Sequence, residues 1–103
     1  MDIIFGRSNA QVIKERYLVL ELETLDAGGQ PLECFCMVDP AVIPAAERPF
    51  LEHYLKLHQT LADNLKEKKY AICLDLIEHL LGKFGGELDS FYQTIAERIN
   101  KNA

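Results

Sequence analysis

The sequence predicts an α+β domain, with a β-hairpin or small antiparallel sheet packed against three consecutive α-helices. Three observations carry that expectation. Between residues 49 and 100, apolar residues recur in three blocks at helical spacing. Residues 17–25 and 31–39 each alternate with a period of two. Between those two stretches lies Asp26-Ala27-Gly28-Gly29-Gln30, a strong hairpin turn signal. One domain covers residues 1–103: a lead-in and hairpin over 1–39, a proline-rich connector over 40–48 and a helical half over 49–103.

Taken in order, Ile3, Ile4 and Phe5 suit a short third strand, and Gly6 ends it. Ser8 and Gln11 have capping-box spacing, which predicts a short helix from Asn9 to Glu15 with Val12 and Ile13 turned inward. The strand from Tyr17 to Leu25 puts Leu18, Leu20 and Leu22 on one face. The strand from Pro31 to Asp39 puts Leu32, Cys34, Cys36 and Val38 on one face. A three-residue loop centred on Gly28 sets Leu22 opposite Cys34, Leu20 opposite Cys36 and Leu18 opposite Val38. The same register opposes Glu23 and Glu33, a like-charge pair that disfavours it slightly.

The other face of this hairpin carries Tyr17, Val19, Phe35 and Met37 among Glu21, Glu23 and Glu33. A solvated face has no need of four large apolar groups. Either the lead-in segment covers them or another copy of the protein does; left open, they form an interaction patch.

The connector Asp39–Pro49 holds three prolines, which break regular structure. Val42 and Ile43 are expected on the core, with a turn of helix over Ala45–Arg48. Pro49 fits the first position of a helix reaching Lys66, whose apolar face is Phe50, Leu51, Tyr54, Leu57, Leu61 and Leu65. His58 lies at the edge of this stripe, as a partly buried, hydrogen-bonded histidine. A second helix from Lys69 to Phe84 has the broadest stripe, with Tyr70, Cys73, Leu74, Ile77, Leu80, Leu81 and Phe84, widened by Ile72 and Leu76. Gly85-Gly86 stops it. A third helix starts at Asp89 or Ser90 and reaches Asn100, burying Leu88, Phe91, Tyr92, Ile95 and Ile99. The junction Lys66-Glu67-Lys68-Lys69 has no glycine or proline; it reads as a tight turn between antiparallel helices, with one long helix as the alternative. The tetratricopeptide pattern that Tyr70 would continue is not met. Leu61 and Asn64 stand where that pattern has glycine and tyrosine, and no second copy follows.

Composition excludes several classes. The net charge is -5, and the one local basic cluster, Lys66, Lys68 and Lys69, is interrupted by Glu67. Nucleic-acid binding needs a basic face, so it is disfavoured. No apolar run is long enough to span a membrane, and no signal peptide is evident, which leaves the cytoplasm as the expected location. Three cysteines, an odd number without framework spacing, read as reduced thiols.

Four residues have the chemistry of metal ligands. Cys34 and Cys36 share a strand face, and Asp75 and His79 share a helix face. The register turns both thiols into the core, where cysteine behaves as a small hydrophobe, and exposed Asp–His pairs are commonly mere surface. Glu21, Glu23 and Glu33 either crowd on the hairpin's outer face, where carboxylates raise one another's pKa, or form a solvated edge. No nucleophile elbow, phosphate loop or dinucleotide fingerprint is present, so no catalytic residue and no cofactor is assigned. The expected function is a non-enzymatic protein-interaction module, homodimeric through Tyr17, Val19, Phe35 and Met37. The alternative is a small-ligand or metal-binding module using a pocket between sheet and helices.

Overall fold

The computed structural model of the chain describes residues 2–14 and 16–101. Strands β1 (Asp2–Phe5), β2 (Leu18–Ala27) and β3 (Gln30–Val38) form an antiparallel sheet in the order β1-β3-β2. Helix α1 (Arg7–Ile13) follows β1, and helices α2 (Leu51–Lys66), α3 (Tyr70–Leu80) and α4 (Asp89–Lys101) form the second half. The α+β architecture read from the sequence is present. The period-two alternation splits the sheet into two apolar faces. Leu20, Leu22, Cys34, Cys36 and Val38 enter the main core with Leu61, Ile77, Leu80, Tyr92 and Ile95 from the three long helices. Ile4, Phe35 and Ala10 form a smaller core with Val19, Met37 and Ile13 under α1.

Helix α1 begins two residues earlier than the sequence suggested. Gly6, at φ 87°, turns the chain from strand to helix, and Asn9 Nδ2 donates to the Phe5 carbonyl at 2.9 Å. Ser8 therefore lies inside the first turn and not at the cap. Ile13 packs inward, but Val12 is 77% exposed. The expected helix end at Glu15 lies outside the described residues.

The hairpin loop has two residues, not three. Gly28 and Gly29 both take positive φ, 65° and 87°, as a type I′ turn requires, and the Gly29 amide donates to Asp26 Oδ1 at 2.8 Å. The shorter loop moves the pairing by one residue, to Ala27↔Gln30 and Thr24↔Glu33. A bulge between Glu21 and Thr24 then restores the expected partners Leu20↔Cys36 and Leu18↔Val38. Thr24, not Glu23, thus faces Glu33, and the expected like-charge opposition is absent.

Two further boundaries and one burial differ. Arg48–Phe50 is a 3₁₀ turn ahead of α2, and it leaves Phe50 56% exposed. In the connector, Ile43 is buried but Val42 is exposed. Helix α3 stops at Leu80, four residues before Phe84, with Gly82 at φ 84°. Phe84 is fully buried in a separate 3₁₀ turn, Phe84–Gly86, at φ 55°. A bulky residue rarely adopts that conformation. Here its amide donates to Glu47 Oε2 at 2.9 Å and its ring fills the core.

The junction after α2 is a turn, closed as a Schellman motif. The Lys69 amide donates to the Asn64 carbonyl at 3.0 Å and the Lys68 amide to Leu65 at 3.2 Å. Lys68 holds the left-handed position, φ 60°, where glycine is usual. Lys68→Gly is expected to raise stability by about 1 kcal/mol in urea unfolding, because it removes the left-handed strain of a side chain. Gly85→Ala is expected to lower stability by about 2 kcal/mol or more in the same assay, since φ is 66° and a Cβ would sit 2.6 Å from the Val42 carbonyl oxygen.

Candidate functional site

The outer hairpin face is covered in part within the chain. Phe35 is only 5% exposed under α1, Val19 and Met37 pack against the same small core, and Tyr17 is half-buried. Phe35 is thus buried by the chain's own lead-in, while Tyr17, Val19 and Met37 keep partial exposure. Of the two occupants allowed by the sequence, the lead-in segment takes this face: β1 pairs beside β3, and α1 lies across it.

The metal candidates do not assemble. Cys34 and Cys36 are buried in the main core, while Asp75 and His79 lie on the exposed side of α3. Among the described residues, no group of three or more histidine, cysteine or acidic side chains could hold a metal ion. Burial raises all three thiol pKa values, that of Cys36 to about 12, which keeps them protonated and unreactive at neutral pH.

The glutamates are not crowded either, because a different element supplies each with a cation. Arg7 of α1 lies 2.6 Å from Glu33, Lys66 of α2 lies 2.6 Å from Glu21, and Arg98 of α4 lies 2.6 Å from Glu23. Glu21 is the buried one, at 7% exposure. Burial pushes its pKa up, but the contacts with Lys66, Gln59 and Arg7 outweigh this and lower it below the usual carboxylate value.

His58 is a residue whose weight the sequence did not reveal. It is 2% exposed. Its Nε2 lies 2.6 Å from the Glu21 carbonyl, an acceptor, so Nε2 carries the proton. Nδ1 then accepts from the Tyr92 hydroxyl at 2.8 Å. This neutral bridge ties α2 to α4 and to β2 where the bulge begins. Burial lowers the pKa of His58 to about 4 and raises that of Tyr92.

Beside that bridge opens a cleft of about 500 Å³. Leu22, Glu23 and Thr24 come from β2, Ala62, Leu65 and Lys66 from α2, Tyr70 from α3, and Ile95, Arg98 and Ile99 from α4. Leu22 faces inward by the same alternation as Leu20. The floor is apolar: Leu22, Ala62, Ile95 and Ile99 are buried. Lys66, Tyr70 and Arg98 are exposed at the mouth. The polar groups of the lining are Glu23, Thr24, Lys66, Tyr70 and Arg98. A smaller hollow of about 150 Å³ lies between α1 and the β2 edge, around Glu21 and Gln59.

No protein-family model, curated protein or solved structure matches the chain.

Protonation of His58 is linked to folding. Its folded pKa, about 4, lies below the ordinary 6.5, so the unfolded chain binds the proton more readily. The stabilisation is complete above pH 6.5 and is lost as pH falls towards 4. The loss amounts to about 3 kcal/mol at roughly 1.4 kcal/mol per pH unit. Urea midpoints measured from pH 7.5 to 4 are expected to fall with this profile. In His58→Gln the histidine part of the slope should vanish.

Proposed function

We propose that the chain is a non-enzymatic binding module that takes a small molecule with an apolar body into the cleft between β2, α2, α3 and α4. The observation that carries this reading is the cleft itself, about 500 Å³ over a buried aliphatic floor. That volume falls in the range of small-ligand sites, which are apolar with a few convergent polar groups. Each methylene of a ligand moved from water onto such a floor contributes about 0.8 kcal/mol. The walls are held in place by the buried His58 bridge and by two ion pairs, so binding needs little ordering of the protein.

On the face that carries Tyr17, Val19, Phe35 and Met37, α1 already packs over Phe35. The cleft is open without any rearrangement of the chain. No helix among the described residues is long and apolar enough to cross a membrane.

A neutral apolar fluorophore, N-phenylnaphthylamine, is expected to brighten on binding. Methyl resonances of Leu22, Leu65, Ile95 and Ile99 should shift with it, while that of Val12 stays in place. Leu65→Trp, which projects a large ring into the opening, should abolish the effect. Shifts confined to the α1 side of the sheet, or no binding at all, would count against the cleft.

A further inference from the structure

Resting on the cleft reading, the open edge of β2 narrows the class of ligand. β2 is an outer strand of the sheet. In an antiparallel strand the N–H and C=O of one residue leave on the same side, and residues two apart agree. The Glu33 carbonyl turns to β1, where it accepts from the Gly6 amide at 2.8 Å. Glu33 and Phe35 therefore bond β1, and their partners on β2, Thr24 and Glu21, point N–H and C=O away from β3. At Glu21, α2 closes this edge, since His58 Nε2 lies 2.6 Å from the carbonyl. At Thr24, past the bulge, no hydrogen bond from another element reaches the main chain among the described residues. Thr24 is exposed and lines the cleft beside its apolar floor. The charges nearby are already matched. Lys66 Nζ lies 2.6 Å from Glu21 Oε2, Arg98 reaches Glu23 at 2.6 and 3.3 Å, and Lys69 lies 3.1 Å from Glu67. What the cleft leaves open is a main-chain donor and a main-chain acceptor on one residue.

We propose that the cleft takes small, uncharged N-acylated amino acid derivatives, with their apolar groups on Leu22, Ala62, Ile95 and Ile99 and their main chain on Thr24. The two groups of Thr24 call for a ligand N–H and C=O on either side of one carbon, which is the spacing of a residue in a strand. The ligand N–H donates to the Thr24 carbonyl, and the ligand C=O accepts from the Thr24 N–H, as in a hydrogen-bonded antiparallel pair. The ligand thus does at Thr24 what His58 does at Glu21: it satisfies the outward edge of β2.

Three probes test this by NMR titration: N-hexanoyl-leucine methylamide, its analogue methylated on the leucine nitrogen, and N-hexanoyl-leucine with a free carboxylate. The methylamide is expected to move the Thr24 amide proton downfield, together with the methyl resonances of Leu22, Ile95 and Ile99. Methylating the leucine nitrogen removes the donor and should weaken binding about fivefold, the worth of one net hydrogen bond. The carboxylate should bind no tighter than the methylamide, and added salt should leave the methylamide affinity unchanged. Thr24→Pro, a change that an edge strand tolerates, removes the N–H. It should weaken the methylamide about fivefold while N-phenylnaphthylamine still brightens. Should this variant unfold, the methylated analogue on the unmodified protein decides. Equal affinity for the methylamide and its methylated analogue, with shifts in the cleft, overturns the main-chain pairing and spares the cleft reading. A tighter carboxylate overturns the uncharged class and spares it likewise. Amide shifts at Ile3 and Phe5 in place of Thr24 put the ligand on the other edge of the sheet and overturn the proposal. Absence of shifts at Leu22, Ile95 and Ile99 with every probe, N-phenylnaphthylamine included, overturns both.

Discussion

The imidazole of His58 is the joint on which the rest of the fold depends. It is buried between three elements and satisfies a polar group on two of them: the Tyr92 hydroxyl of α4 and the Glu21 carbonyl of β2. Both of those groups are out of water, and leaving either unpaired would cost about 1–3 kcal/mol. In the neutral ring the proton sits on Nε2, because a carbonyl accepts and does not donate, and Nδ1 then accepts from the Tyr92 hydroxyl. Phe84 and Phe91 surround the ring at centroid distances of 6.3 and 6.4 Å. The aromatic packing excludes water, and the excluded water is what gives the two hydrogen bonds their weight.

From this joint the charges radiate outward in an ordered way. Glu21, Glu23 and Glu33 stand on the hairpin, and each meets a cation from a different helix. Exposed ion pairs add little stability one by one. Their effect is orientation: α1, α2 and α4 are each pinned to the sheet at a defined place. The same pins put Lys66 and Arg98 at the mouth of the cleft.

Two left-handed residues mark where packing overrides local preference. Lys68 closes the α2–α3 turn and Phe84 enters the core from a turn after α3. Neither conformation follows from the residue type. At Lys68, Schellman hydrogen bonds compensate; at Phe84, complete burial and the bond to Glu47 do. Gly85 next to it has room for no side chain, since the Val42 backbone approaches there. The connector and the α3–α4 loop therefore lock against each other through backbone contact.

Much of the fold was legible in the residues themselves. Helical periodicity placed α2 and α4 nearly to their ends, and the alternation of Leu18, Leu20, Cys36 and Val38 defined the core face of the hairpin, because both patterns are set by local backbone geometry. The thiols' place in the core followed from the same alternation. The sequence did not decide which segment covers Phe35, because an apolar face is satisfied equally by its own chain or by another. Nor did it decide the bulge: a two-residue loop and one extra residue in β2 balance, and only pairing across the sheet reveals it. The charge partners of the three glutamates and the depth of His58 come from contacts between residues far apart in the chain. The cleft belongs wholly to that second category. Leu22, Ala62, Ile95 and Arg98 carry no shared motif, and what joins them is the angle at which three helices meet the bulged end of β2.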